Sequence, residues 1–213
     1  MELTKHTHAT VSVGKGGHKL LIDPGTFTPD AQQLIAAADA ILLTHDHFDH
    51  FDRDRVAAGL SNRAELHIYG PAPVVNALVD FADRVHEVAA GDSLDIVGFH
   101  VAVHGDRHAL IHAEIPQGVN VGYLIDGALL HPGDAYVVPD HPVDTLLLPT
   151  SGPWTKMGEA IDYVLAVQPR QCIQIHDAML SQIGTASANM FLGAQSPTQT
   201  ELLSLAVGDA IEI

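Results

Sequence analysis

Five short apolar segments recur along the chain, and each one runs into a polar residue. The segments cover residues 20–22, 41–43, 129–130, 146–148 and 172–175. Runs dominated by Leu, Ile and Val are typical of strands that are buried on both faces of a sheet. Because ligands of layered α/β folds bind beyond the ends of such strands, the polar residues that follow are candidate site residues. They are Asp23, Thr44 with His45, His131, Thr150 and His176.

Between these segments lie stretches with the pattern of helices. They cover residues 29–38, 53–60, 73–81, 156–167 and 178–190. Strands that alternate with helices predict a layered α/β protein. The start of the chain predicts an antiparallel hairpin instead, because residues 8–13 and 18–22 favour strands and the glycine-rich residues 14–17 favour a turn. This start argues against a simple doubly wound fold.

The composition indicates one domain in a reducing compartment. With 213 residues and 46% apolar content, the chain can bury one large core, so we expect a single domain over residues 1–213. No apolar segment approaches the roughly 20 residues that span a bilayer, and residues 1–6 lack the features of a secretory signal. The single cysteine, Cys172, cannot form an internal disulfide. We therefore expect a cytoplasmic protein whose metal ligands, if any, are His, Asp or Glu.

The charge narrows the class of partner. The formal net charge is −16, from 26 acidic and 10 basic residues. Binding a polyanion requires a basic surface that releases counterions, so we expect no nucleic-acid partner. We expect a small-molecule substrate, and the sequence leaves open whether the chain forms a homo-oligomer. The chain also contains 15 histidines, and neutral histidine is the commonest metal ligand.

The densest cluster of candidate ligands is the run HDHFDH at residues 45–50. If strand geometry persists into this run, His45 and His47 point the same way and can bind one ion together. Asp49 and His50 follow as the chain turns toward a helix, and they can bind a second ion, typically about 3.5–4 Å away. An ordinary polar turn would use Gly, Asn and Ser instead of three histidines. The run therefore predicts a two-metal site.

The segment THDHFDH at residues 44–50 resembles the HxHxDH signature of the metallo-β-lactamase superfamily. The similarity extends to the turn at 21–25, to Pro132-Gly133-Asp134 and to Ile175-His176. Within the superfamily, the phrases at 8–9, 120–123 and 152–154 are most similar to the ascorbate-6-phosphate lactonase-like branch. The resemblance implies an αββα sandwich in a single compact domain, with the site at the edges of the sheets.

The resemblance also implies a set of seven metal ligands shared by two divalent ions. His45, His47 and one histidine between residues 100 and 112 would bind the first ion. The second ion would be bound by Asp49, His50 and His176, and Asp134 would bridge the two. Mixed nitrogen and oxygen ligands suit both zinc and manganese, and we expect zinc, with manganese as the alternative.

The third ligand of the first ion is ambiguous, because histidines recur every four residues at 100, 104, 108 and 112. Val101, Val103 and Gly105 favour a strand that ends in a loop over a helix. Residues just beyond a strand end can turn toward a site. We therefore predict His108 as the ligand, with His104 as the alternative.

Several other residues have two interpretations each. Asp23 could orient a ligand histidine or simply form a turn before Pro-Gly. His8 could line the site or lie on an exposed strand face. Trp154 and Lys156 could contact the substrate, although a tryptophan more often packs in the core and a lysine more often lies on a helix surface. Cys172 is expected in the core. Three histidines are expected at the surface: His67, His86 and His141.

The metal site predicts a hydrolase. A divalent ion lowers the pKa of its bound water to about 7, so a metal-bound hydroxide would be the nucleophile at neutral pH. Asp49 or Asp134 would hold that nucleophile and shuttle its proton. The expected substrate is a small ester, lactone or phosphodiester. Two alternatives use the same scaffold, namely a mono-iron dioxygenase-like oxidoreductase and a non-catalytic metal-binding protein.

Overall fold

The computed structural model describes all residues from 1 to 213 as one domain with two stacked β-sheets and helices on both outer faces. The strands are β1 Glu2–Lys5, β2 Val11–Lys15, β3 His18–Ile22, β4 Ala40–Leu42, β5 His67–Gly70, β6 Val85–Glu87, β7 Ser93–Ile96, β8 Phe99–His104, β9 Gly122–Ile125, β10 Leu129–His131, β11 Thr145–Pro149, β12 Gln171–Ile175, β13 Glu201–Leu203 and β14 Ala210–Glu212. The helices are α1 Ala31–Ala37, α2 Arg53–Asn62, α3 Ala72–Ala77, α4 Met157–Val167 and α5 Gln182–Leu192, with a short 3₁₀ turn at Val79–Phe81. The αββα sandwich expected from the sequence is confirmed.

Both faces of the central strands are buried, as their unbroken apolar runs predict. In β3, Leu20 and Ile22 point into the core between the two sheets, whereas Leu21 packs under the helices of the first sheet. The same alternation holds in β11, where Leu147 faces the central core and Leu146 packs under α4 and α5. The sandwich therefore has three apolar layers, one between the sheets and one beneath each helical layer.

The two sheets repeat one topology. The first has the strand order β14-β1-β2-β3-β4-β5-β6, and the second has the order β13-β12-β11-β10-β9-β8-β7. In each sheet an antiparallel part passes into a parallel part, at β3 in the first and at β10 in the second. Each of these two strands runs into an X-Pro-Gly turn, which is Asp23-Pro24-Gly25 in the first half and His131-Pro132-Gly133 in the second. The two X-Pro-Gly turns thus occupy equivalent positions in the two halves of the chain.

Some local predictions are wrong at their boundaries. The predicted helix at 178–190 begins only at residue 182, because residues 178–181 form a turn in which Ser181 caps α5 by accepting a hydrogen bond from the Gly184 amide. The predicted strand at 8–13 begins only at Val11. The preceding residues form a turn closed by a hydrogen bond from the Thr10 amide to the Thr7 carbonyl. None of the five helices is long and apolar enough to cross a membrane.

Candidate metal centre

Two adjoining groups of histidine and aspartate side chains lie where the two sheets meet. The first group contains His45, His47, His108 and Asp134. The second group contains His8, Asp49, His50 and His176. Within each group, one potential ligand atom from each residue lies within 4.8 Å of those from all the others. The structure therefore brings together all seven residues predicted as ligands and adds His8.

The HDHFDH run reaches both groups without being a strand. β4 ends at Leu42, and residues 45–50 form a loop and turn. The rings of His45 and His47 nevertheless lie 4.6 Å apart between centroids, and each also approaches the ring of His108, at 5.2 and 4.7 Å. The strand geometry that we expected here is absent, but both histidines face the same point because the loop curls around it.

Asp134 lies between the two groups, with one oxygen toward each. Its Oδ2 lies 3.3 Å from Nε2 of His108. Its Oδ1 lies 3.0 Å from Nε2 of His50 and 3.1 Å from Nε2 of His176. Two ligand atoms that are each 2.0–2.2 Å from one tetrahedral zinc ion are about 3.4 Å apart. The spacing therefore suits a carboxylate that bridges two cations.

Hydrogen bonds fix the protonation of the histidine rings. His50 donates from Nδ1 to Oδ2 of Asp23 at 2.7 Å, and the hydroxyl of Thr44 donates to the same oxygen at 2.7 Å. The Thr44 oxygen then accepts from Nδ1 of His45 at 2.9 Å, and His108 donates from Nδ1 to the carbonyl of Ala109 at 2.6 Å. Each of these three rings therefore holds a proton on Nδ1 and turns its Nε2 toward the site.

These Nε2 atoms have no partner of their own. Nε2 of His45, His50, His108 and His176 and Oδ1 of Asp134 are buried and form no hydrogen bond. The close approaches of Asp134 to His50 and His176 lack hydrogen-bond alignment, so they do not satisfy these atoms. Unpartnered buried polar atoms are costly and rare in folded proteins. The residues therefore fit bound divalent cations, which would coordinate these lone pairs.

Charge also favours a cation here. Burial lowers the pKa of His45 well below its ordinary value, and nearby His50 lowers it further. Burial opposes ionisation of Asp134, but His50 and His108 outweigh it and hold the pKa of Asp134 well below its usual range. The pKa of Asp49 is likewise lowered, since the nearby rings of His176 and His8 outweigh burial. Asp134 raises the pKa of His50 and His176 despite their burial. A bound cation would therefore replace the protons that these two rings otherwise hold, beside ionised carboxylates and a neutral His45.

His8 was expected either to line the site or to lie exposed on a strand, and it is buried in the site. Its ring lies against that of His176 with 3.8 Å between centroids and an angle of 49° between the ring planes. Nδ1 accepts a long hydrogen bond of 3.4 Å from the Ala178 amide, which places the ring proton on Nε2. Nε2 then donates to Oδ2 of Asp49 at 3.1 Å. We interpret His8 as a donor that positions Asp49, because a protonated nitrogen cannot bind a metal ion.

A buried lysine holds the His8 turn from below. Lys5 is 1% exposed, and its ammonium donates to the carbonyls of His6 and His8 at 2.6 and 3.2 Å. It also pairs with Oδ1 of Asp177 at 3.1 Å. Since the His176 amide donates to the His8 carbonyl, Lys5 connects the first turn of the chain to the end of β12. No sequence motif marks this lysine.

The backbone of the site adopts unfavourable conformations. His8, Asp23 and His176 all have positive φ angles, of 62°, 49° and 55°. Non-glycine residues in this region cost of order 1–3 kcal/mol each and cluster at functional sites. A side chain on Gly25 would place its Cβ 1.8 Å from the carbonyl oxygen of Asp49, and one on Gly133 would lie 2.2 Å from Asn120 Oδ1. Both X-Pro-Gly turns therefore require glycine.

Of the three other candidates, only Trp154 lies at the site. His104 ends β8 and lines a different cavity together with Asp140 and His141. Trp154 is packed beside the site and donates from Nε1 to Oδ2 of Asp134 at 2.9 Å. Lys156 is exposed and lies 3.4 Å from Glu159, away from the site.

Of the three histidines expected at the surface, only His141 is exposed. The other two, His67 and His86, are half-buried and hydrogen-bond to each other across β5 and β6 at 2.8 Å. The predicted surface position of these two is therefore wrong, because the register of β5 and β6 brings the two rings together. Cys172 is fully buried in the core, as expected.

A cavity of about 310 Å³ opens onto both groups. Five of its lining residues belong to the groups: His47, Asp49, His108, Asp134 and His176. The others are apolar or aromatic: Phe27, Phe48, Ile111, Pro153, Trp154 and Met179. The cavity gives a small molecule access to the centre.

Replacing Asp23 with asparagine is expected to lower metal affinity by roughly 10–100-fold, the usual effect of losing a residue that orients a ligand. The amide can keep Oδ1, which accepts from the Thr44 amide. It replaces Oδ2 by an NH₂ group that cannot accept from His50 or the Thr44 hydroxyl. Titration of the metal-free protein with zinc checks the result, and Asp140→Asn at an exposed position is the control. Unchanged affinity would show that Asp23 is only a turn residue.

The comparisons with known proteins show the family of the chain. Residues 2–176 match the family described as a beta-lactamase superfamily domain. Protein Rv0786c of Mycobacterium tuberculosis is 37% identical over 186 residues, covering 85% of this chain and 86% of that protein. A UPF0173 metal-dependent hydrolase of Myxococcus xanthus is 31% identical, covering 82% of this chain and 70% of that protein.

Among solved structures, Igni18, a metallo hydrolase of the archaeon Ignicoccus hospitalis, superposes with a TM-score of 0.74. The alignment covers 99% of this chain and 97% of that one at 17% identity, so it supports the fold. The narrower resemblance to ascorbate-6-phosphate lactonase-like hydrolases stays a prediction. Because the family match spans most of the chain and includes both histidine and aspartate groups, the chain belongs to the metallo-β-lactamase superfamily and, within it, to the UPF0173 metal-dependent hydrolases.

Proposed function

We propose that this protein hydrolyses a small ester or lactone at a centre of two divalent cations, with phosphodiesters as the alternative substrates. One observation carries the proposal. The two buried ligand groups meet at Asp134, and the unpartnered Nε2 atoms of their histidines converge beneath an open cavity. A purely structural metal site would be closed to solvent, whereas a catalytic site keeps an open position. The open cavity therefore favours an enzyme over a non-catalytic metal-binding protein.

The ligand groups suit zinc first and manganese second. His45, His47 and His108 would hold one ion, His50, His176 and Asp49 would hold the other, and Asp134 would bridge them. Two such cations supply a Lewis acid for the substrate's carbonyl or phosphoryl oxygen and lower the pKa of a bound water to about 7.

The chain's own residues then orient the reactants. Asp49 is ionised, and its side chain is 17% exposed at the cavity floor, so it would accept a hydrogen bond from the attacking water and orient it. His8 keeps Asp49 in place by donating to Oδ2. Trp154 donates to Oδ2 of Asp134 and so holds the plane of that carboxylate. Apolar side chains around the cavity displace bulk water, which strengthens the electrostatic interactions inside.

Metal analysis gives the first test. Protein purified without added metal and then loaded with zinc or manganese is expected to bind about two ions per chain, because seven ligands exceed the four of one tetrahedral site. A panel of lactones, esters and phosphodiesters should show turnover that a chelator removes and added metal restores. At most one ion per chain under saturating metal would contradict the two-metal proposal. Bound iron with oxygen-dependent turnover would favour the oxidoreductase instead.

A further inference from the structure

The cavity above the metal centre lacks any cationic side chain. Apart from the residues of the two ligand groups, every side chain that lines it is apolar or aromatic. Neither lysine nor arginine is among them, and neither is a hydroxyl or amide side chain. The parts of a substrate that do not react would therefore meet only hydrocarbon and aromatic surface.

Basic residues close to the site in sequence do not line this cavity. Lys5 is buried below the site and paired with Asp177. Lys156 points to Glu159 on the surface. Arg107 directly precedes His108, but it is exposed and does not line the cavity. The net charge of the protein is −16, and no cationic side chain in this cavity could pair with a phosphate or carboxylate group.

The mouth of the cavity exposes large apolar side chains. Phe48 is 64% exposed and Met179 is 56% exposed. Phe27 contacts Phe48 edge to face with 5.6 Å between ring centroids, and its other neighbour is the ring of His8 at 5.1 Å. Exposed apolar surface grouped around a cavity marks a binding site for apolar ligands. These side chains would bury most apolar surface by covering an aliphatic or aromatic group of a ligand.

From these contacts we infer that the substrate is uncharged and carries an aliphatic or aromatic group next to the bond that is cleaved. The inference rests on the proposed function and specifies its substrate class. A volume of about 310 Å³ is at the lower end of small-molecule sites, which span roughly 300–1,000 Å³. Because no cationic side chain lines the cavity, sugar phosphates and other phosphorylated substrates are disfavoured. A remote anionic group would lose its hydration and find no counter-charge.

The test compares phenyl esters of straight-chain acids with esters of the same length that end in a carboxylate. In the neutral series, kcat/KM should rise about fourfold for each added methylene until the cavity is filled, since burying one methylene contributes about 0.8 kcal/mol. A terminal carboxylate should lower kcat/KM by at least about 10-fold. Equal or better turnover of the anionic esters would overturn the inference.

A substitution at the mouth provides a second arm. Met179→Arg should lower the ratio of kcat/KM for neutral esters to kcat/KM for carboxylate-ended esters by about 10-fold or more. The reason is that the substitution places a cation beside the distal end of the substrate. Met190→Arg is the control, because it places the same cation at a 68% exposed position of α5 outside the cavity, and its preference should stay near that of the unchanged protein. An unaltered preference in Met179→Arg would also contradict the inference.

Binding measurements separate this inference from the proposed hydrolysis. Trp154 is the only tryptophan and lines the cavity, so its fluorescence reports on occupancy. Alkyl hydroxamates bind metal centres through one end, and they can be compared with hydroxamates that carry a terminal carboxylate. Tighter binding of the neutral compounds by the zinc-loaded protein, without turnover of any ester, would support the cavity inference and reject the hydrolase. Tighter binding of the charged compounds would reject the inference, whatever the activity.

Discussion

Replacing Asp134 with asparagine is expected to lower kcat/KM by more than about 100-fold while the fold is retained. Oδ2 accepts from Trp154, and Oδ1 approaches Nε2 of His50 and His176. If the asparagine oxygen keeps the bond to Trp154, its NH₂ group faces the second site, where it cannot coordinate a cation. A neutral amide is also a poor bridge between two positive charges. The loss should exceed the 10–100-fold typical of residues that only orient ligands.

Turnover of the best ester and metal content per chain measure the effect of Asp134→Asn, and circular dichroism checks the fold. The matched control is Asp46→Asn. Asp46 is also an aspartate and lies within the HDHFDH run, but it is exposed and contributes to neither ligand group. Full activity in Asp134→Asn would remove Asp134 from the centre, and an equal loss in Asp46→Asn would show that the effect is nonspecific.

Replacing His108 with alanine is expected to empty the first metal site, whereas replacing His104 should leave both sites loaded. His108 is 3% exposed, and its Nε2 lies 3.3 Å from Oδ2 of Asp134. His104 lies at the end of β8 beside a separate cavity. The pair forms its own control, because both histidines lie on the same segment of chain.

Zinc content after dialysis and kcat/KM for the best ester distinguish the two variants. His108→Ala should retain at most one ion per chain and lose more than about 100-fold in kcat/KM, which is more than an orienting residue usually contributes. His104→Ala should stay within about twofold of the unchanged protein. The opposite pattern, with His104→Ala empty and His108→Ala active, would mean that His104, and not His108, is the ligand of the first site.

The sequence predicts five strands that are both buried and continuous in their apolar residues. Strands β3, β4, β10, β11 and β12 are apolar on both faces, so their composition alone identifies them. The edge strands β6, β7, β13 and β14 are short and partly exposed, and their residues carry no comparable pattern. Their places are set by pairing with distant neighbours, as when β14 joins β1 to complete the first sheet.

The residues of the site likewise divide into those that a local pattern predicts and those that depend on tertiary contacts. The HDHFDH run predicts its ligands because six neighbouring residues carry most of the chemistry. His8 lies 41 residues before Asp49 and reaches it only because a turn with positive φ replaces the expected strand. The bond from Trp154 to Asp134 likewise depends on the folding of the loop that follows β11. Contacts of this kind are tertiary, and no local pattern of residue types reports them.

The division of the ligands between two similar halves makes metal occupancy a property of the assembled molecule. The first half contributes the HDHFDH run and Asp23, and the second half contributes His108, Asp134 and His176. Neither half contains a complete set for either ion. A cation that binds only when the halves are docked would draw its affinity from that docking and would stabilise it in return, by about 2.7 kcal/mol at a concentration 100 times its Kd. Metal supply in the cell would then set the lifetime of the protein as well as its activity.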